Sequence, residues 1–208
     1  MTGDARVTVL FFGSFNPVHV GHLAVAEAAA ARPEVREVRF IVTPANPHKL
    51  PGDLAPADLR LAWVTRALAG NERLTVSDIE FHLPPPHFTA ETLRALELQA
   101  PFARFSLLIG ADTLRTLHTW KDTDRIAAHS PLYVYPRHGE DAAATTPWEL
   151  AHPAVEVIRM PGDLHPFSST EVREAFRSNT PADTMLPEPL RADPSLAAVY
   201  GPRGQVLL

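Results

Sequence analysis

Mainly apolar runs rich in Val, Ile and Phe recur along the chain, at residues 7–12, 38–42, 74–79, 105–109, 132–135 and 155–158. Short runs of that composition predict strands buried on both faces, the habit of a parallel sheet. Between them, apolar positions spaced three and four apart predict helices at 23–31, 58–69, 89–98, 112–117, 124–129 and 169–177. Strand and helix alternate almost throughout. That order predicts an α/β fold, a Rossmann-like doubly wound parallel sheet, with ligands bound beyond the carboxyl ends of the strands.

Three stretches escape this pattern. Among the 21 prolines, clusters fall in "HLPPPHF" (82–88) and around "LPEPLRADP" near the C-terminus, where they punctuate loops. The segment 137–153, "RHGEDAAATTPWELAHP", is polar, Ala- and Thr-rich and without a period, which predicts a mobile surface excursion. With 208 residues, 45% of them hydrophobic, the chain can build one substantial core, and a single domain over 1–208 is expected.

Charge and composition then exclude classes. A net charge of -5 argues against a broad basic face for nucleic acid and leaves room for a local positive pocket around a small anion. There is no cysteine, so disulfides, thiolate metal sites and a cysteine nucleophile are excluded. The opening "MTGDARVTVLFFG" lacks a signal peptide's apolar core, and no apolar run reaches membrane-spanning length, so a cytoplasmic protein without a membrane partner is expected.

The candidate chemistry sits in "FFGSFNPVHVGHLAVAEAAA", residues 11–30. Gly13 permits a tight turn from strand to helix, and Gly21 permits close approach by a ligand or the sheet. His19 and His22 fall where the helix begins; three-residue spacing predicts both rings on one face. A helix start offers unpaired N–H groups and partial positive charge, and histidine donors there converge on the place that attracts a polyphosphate. The bland alternative is a polar cap or a half-buried core histidine. Neither a Walker A loop nor the three-glycine dinucleotide fingerprint is present, and no third ligand at metal spacing accompanies the pair, so no protein-held metal is expected. A second helix start, "FSSTEVR" (167–173), presents Ser168, Ser169 and Thr170 with Arg173 one turn on, a phosphate-facing set or simply an N-cap.

Together the two motifs carry a resemblance. "GSFNPVHVGH" resembles the G-x-F-x-P-x-H-x-G-H signature of the nucleotidylyltransferase superfamily, and "FSSTEVR" is similar to its Ile-Ser-Ser-Thr-x-x-Arg motif. "PANPHK" (44–49), "TAETLRALE" (89–97), "IGADTLRTLHTW" (109–120) and the ending "MLPEPLRADPSLAAVYG" resemble the bacterial nicotinate mononucleotide adenylyltransferases in particular, so the likeness spans nearly the whole chain and implies a C-terminal helical region. It implies that Gly13, Ser14, Phe15, His19, His22, Gly110, Asp112, Ser168, Ser169, Thr170 and Arg173 form the ATP site. Lys49, Thr89 and Trp120 would hold the acceptor, the indole of Trp120 stacking on the pyridine ring.

The implied reaction is attack by the phosphate oxygen of nicotinate mononucleotide on the α-phosphorus of ATP, giving nicotinate adenine dinucleotide and pyrophosphate. It needs no protein nucleophile, only alignment of two polyanions and donors for the phosphoryl oxygens, which His19, His22, Lys49 and Arg173 would supply. Mg²⁺ would ride mainly on the ATP phosphates. The sequence departs from the family at Phe88, where a tyrosine is usual, so a hydroxyl contact at the nicotinate end is lost. His48 belongs to the Pro-His-Lys string; His118, His129, His138 and His152 read as surface residues. Nicotinamide mononucleotide or phosphopantetheine as acceptor, or a non-catalytic nucleotide-binding module, remain alternatives, and a synthetase-like RNA binder is disfavoured by the acidic charge. The sequence leaves the oligomeric state open.

Overall fold

Six strands run parallel in one sheet of order β3-β2-β1-β4-β5-β6: β1 (Val7–Gly13), β2 (Val35–Val42), β3 (Leu74–Ser77), β4 (Phe105–Gly110), β5 (Leu132–Tyr135) and β6 (Val157–Arg159). The computed structural model describes residues 6–45, 54–136, 145–161 and 167–202. Lys49, His48 and His138 lie outside the described residues.

Successive side chains of the central strands enter opposite cores, which is why their sequences read as mainly apolar runs. Val9, Phe11, Val38 and Phe40 point to one layer, closed by α1 (Val20–Ala30), α2 (Ala57–Ala67), α7 (Ser169–Arg177) and α8 (Pro194–Tyr200). Leu10, Ile41, Leu107 and Ile109 point to the other, closed by α3 (Thr89–Gln99), α4 (Ala111–Thr116), α5 (Thr123–Ala127) and α6 (Pro147–Ala151). This is the doubly wound arrangement the alternation predicts, with α7 and α8 as the C-terminal helical region. Among the described residues no helix is long and apolar enough to cross a membrane.

Three expectations change. The apolar run 74–79 splits into β3 and a 3₁₀ turn, Ile79–His82, because the edge strand ends after four residues. The last strand is shifted to Val157–Arg159. Within the expected excursion 137–153, residues 145–153 are built around α6: Thr146 and Glu149 form a reciprocal capping box, Pro147 takes the first helical position, and Trp148, 1% exposed, anchors the helix in the core. Residues 137–144 lie outside the described residues.

Candidate active site

The chain leaves β1 for one face of the sheet and β4 for the other, so a crevice opens between their carboxyl ends. The first motif fills the turn after β1. Phe15 adopts a left-handed backbone at φ 43, a conformation that costs a bulky residue on the order of 1–3 kcal/mol and persists only where packing enforces it. Its ring is 2% exposed and packs against Phe11 and Phe40. Phe15 therefore faces the crevice with backbone only. Gly13 is required by the same packing, since a Cβ there would stand 2.9 Å from the Phe15 ring.

The histidines cap the helix as well as facing the site. His19 is the N-cap of α1, extended at φ -143, so it stands just outside the helix instead of on its face. Its Nδ1 accepts the Gly21 N–H at 3.1 Å, while His22 Nδ1 accepts the His19 N–H at 3.2 Å. This is a capping box made of two imidazoles, with ring centroids 3.7 Å apart. Because each Nδ1 is an acceptor, the proton of each neutral ring resides on Nε2, which is thereby a donor. Gly21 makes room for this: a Cβ would lie 2.9 Å from the His19 ring and 3.3 Å from the Phe167 carbonyl.

That carbonyl belongs to the second motif, and the two motifs are joined directly. Ser169 Oγ donates to the Pro17 carbonyl at 2.9 Å, and Arg173 donates to the Asn16 carbonyl at 2.8 Å and to Thr170 Oγ1 at 3.1 Å. Ser168 is the N-cap of α7, in a capping box with Glu171. The capping and phosphate-facing readings are thus compatible: Ser168 holds the helix start whose remaining N–H groups stand beside the α1 start. Gly110, at the end of β4, is the N-cap of α4, and Asp112 lies in its first turn without capping it. Gly13, Ser14, His19, His22, Gly110, Asp112, Ser168, Ser169, Thr170 and Arg173 thus belong to the ends of β1 and β4 and the helix starts of α1, α4 and α7.

On the other side of β4, Thr89 opens α3 behind the N-cap Phe88, and Trp120 follows the 3₁₀ turn Leu117–Thr119. Lys121 draws these segments together: its Nζ lies 4.9 Å above the Phe88 ring and 2.9 Å from Glu91 Oε1. Trp120 is half-buried and packs against the second core, leaving part of its surface exposed. A cavity of about 350 Å³ nearby is lined by Phe88, Thr92 and Lys121 but by neither Thr89 nor Trp120, and so is a separate groove outside α3.

Several polar residues had no local signal. Arg60, on α2, is fully buried and donates to four carbonyls around the first motif. Burial lowers the affinity of its guanidinium for the proton. Glu80 is buried, with Oε1 accepting from Thr92 Oγ1 at 2.8 Å, and burial pushes its carboxyl up to about 7. Of the histidines expected at the surface, His129 is buried beside Glu97 and His152 stacks on Trp148, whereas His118 is exposed. Among the described residues no three His, Asp or Glu side chains converge as a metal site.

A parallel sheet wound on both faces, with phosphate-seeking helix starts at its switch point, defines a nucleotide-handling α/β protein. The chain matches the cytidylyltransferase-like family over residues 10–175 and belongs to it. It is 38% identical over 192 residues to a Porphyromonas gingivalis protein named "Probable nicotinate-nucleotide adenylyltransferase", covering 90% of this chain and 92% of that one. It is 41% identical over 169 residues to a protein of the same name from Bacteroides fragilis, covering 81% of each. Among solved structures, Plasmodium falciparum nicotinic acid mononucleotide adenylyltransferase complexed with NaAD superposes with a TM-score of 0.71 over 93% of this chain and 94% of that one. At 15% identity that likeness is one of fold.

Proposed function

We propose that the protein is an enzyme that transfers the adenylyl group of ATP to nicotinate mononucleotide, a step in NAD biosynthesis. A phosphate oxygen of the acceptor forms a bond to the α-phosphorus, the bond from that phosphorus to the bridging oxygen breaks, and pyrophosphate leaves. The observation that carries this reading is the joining of two helix starts through Ser169–Pro17 and Arg173–Asn16, which makes one anion-binding surface from two distant motifs. The named relatives at 38% and 41% identity support the acceptor.

In this reading His19 and His22 donate from Nε2 to the non-bridging oxygens of the α-phosphate, whose charge rises in the transition state. The nucleophile is already anionic, so no general base is required, and alignment with charge stabilisation supplies the rate. Arg173, Ser169 and Thr170 hold the polyphosphate from the α7 side, and Lys49 adds a point charge from the segment after β2. Gly110 and Asp112 border the nucleotide, and Thr89 and Trp120 receive the pyridine end. Mg²⁺ enters with ATP as part of the substrate, bound to its phosphates and water. ATP and a mononucleotide are cytoplasmic substrates, which suits a cytoplasmic site of action.

The test is the fate of label from ATP carrying radioactive phosphorus at the α position, incubated with nicotinate mononucleotide and Mg²⁺. Label is expected in the dinucleotide, with pyrophosphate unlabelled. Label recovered in ADP or AMP, with no dinucleotide formed, overturns the reading.

A further inference from the structure

The turn that carries the first motif is held from beneath by a connected polar network whose donors Arg60 and Tyr200 lie outside both motifs. Arg60 Nη1 donates to the Ser14 carbonyl at 2.6 Å and to the Thr43 carbonyl at 2.8 Å. Its Nη2 donates to the Pro44 carbonyl at 2.7 Å and its Nε to the Ala55 carbonyl at 2.9 Å. One guanidinium thus ties the turn after β1 to the two residues that follow β2 and to Ala55, just ahead of the α2 N-cap Pro56. The Ala55 N–H donates in turn to Asn16 Oδ1 at 2.9 Å, and the Tyr200 hydroxyl, from the last helix, donates to the same oxygen at 2.6 Å. Arg60, Asn16, Ala55 and Tyr200 are buried, Ser14, Thr43 and Pro44 are partly buried, and Arg60 has no carboxylate partner among the described residues.

Burying an arginine without an acid is costly unless its donors are engaged, and four carbonyls engage this one. A lysine cannot reproduce contacts made from three separate nitrogens, and an apolar residue would leave four carbonyls, that of Ala55 buried and the others partly so, without this donor. The expense is concentrated under Ser14 and Asn16, five and three residues ahead of His19, the N-cap of α1. Asn16 also receives Arg173 on its backbone carbonyl, so the network bears on both phosphate motifs.

We infer that Arg60 and Tyr200 are positioning residues for the phosphate-binding turn: they act through Ser14 and Asn16 to fix the capping geometry of His19 and His22. The inference rests on the proposed adenylyl transfer only for its kinetic readout. Tyr200 extends the functional unit to the C-terminal helix, 184 residues from Asn16 along the chain.

The test compares full-length wild type, Arg60→Lys and Tyr200→Phe in pyrophosphate release with ATP and nicotinate mononucleotide, and in amide hydrogen exchange followed residue by residue. The inference expects kcat to fall about tenfold or more in Arg60→Lys and about fivefold in Tyr200→Phe. The KM for the acceptor should stay within about twofold, and exchange should quicken at His19 and Gly21 while the β4 and β5 amides keep wild-type rates. Wild-type kcat, or wild-type exchange at His19 and Gly21, overturns it, as does exchange that quickens uniformly through the sheet. Should Arg60→Lys fail to fold, Tyr200→Phe, which removes one hydroxyl, decides alone. If the wild type itself releases no pyrophosphate, the proposed function fails while the exchange result still decides the positioning role.

Discussion

His22 Nδ1 accepts the backbone N–H of His19 at 3.2 Å, and the two imidazoles lie with centroids 3.7 Å apart. A motif spacing that suggests two rings side by side on a helix face instead produces a mutual cap, in which each ring spends its Nδ1 on the backbone. The cap supports the helix start and sets the tautomer at once. The cap uses Nδ1 of both side chains and leaves Nε2 for the proposed contact with phosphate.

Replacing either histidine by alanine should harm turnover far more than stability. Loss of one donor aimed at transition-state charge costs about 10²–10³ in kcat. Loss of a cap costs about 1 kcal/mol, a fall in Tm of about 2–4 °C in a chain of this size. Steady-state kinetics beside thermal denaturation checks this; a Tm collapse with kcat per folded molecule unchanged would mean that the pair only caps.

The capping box also makes a prediction about protonation. A proton added to Nδ1 of either ring would face a backbone N–H donor at 3.1 or 3.2 Å, so the capped state requires neutral rings. ¹⁵N NMR at neutral pH should show Nε2 protonated and Nδ1 bare in both. The opposite tautomer in either residue would refute the assignment.

The strands were legible because burial on both faces leaves mainly apolar runs, as at Val7–Gly13 and Leu132–Tyr135. Helix α7 was legible to the residue because Ser168 and Glu171 announce a capping box before an amphipathic turn. Helix α6 was not: its five residues are too few for a period, and its signal is the short string from Thr146 to Glu149. The positions of His19 and His22 were legible, but their capping was hidden because histidine is an uncommon N-cap. Arg60 and Tyr200 gave no signal, since their partners are carbonyls and an amide oxygen brought near only by the fold.

Glu80 should make stability depend on pH. Its carboxyl is raised from 4.5 to about 7 in the folded state, so below pH 4.5 it is protonated in both folded and unfolded chains and costs nothing. As pH rises from 4.5 to 7 the unfolded chain ionises first and stability falls, by about 3 kcal/mol once pH exceeds 7. Glu80→Gln keeps an acceptor for Thr92 and should be more stable than wild type at pH 8, the gain vanishing near pH 4.5. Denaturant titrations at both pH values check the sign; a mutant less stable at pH 8 would show that the ionised carboxylate is well accommodated.

Trp120→Ala should separate the two halves of the site. If the indole receives the pyridine ring, KM for nicotinate mononucleotide should rise by the equivalent of about 1–3 kcal/mol, with KM for ATP little changed. Because Trp120 also packs on the second core, Tm should fall as well. Unequal effects on the two KM values mark the stacking role; a lower Tm with both KM values unchanged would assign Trp120 to the core alone.

The central claim is the identity of the transfer, and pyrophosphate release with ATP and each acceptor in turn tests it most directly. With equal concentrations of nicotinate mononucleotide, nicotinamide mononucleotide and phosphopantetheine, kcat/KM for the nicotinate form should exceed the others by about tenfold or more, a difference of about 1.4 kcal/mol in transition-state binding. Equal or greater efficiency with nicotinamide mononucleotide or phosphopantetheine, or no pyrophosphate with any of the three, would contradict it.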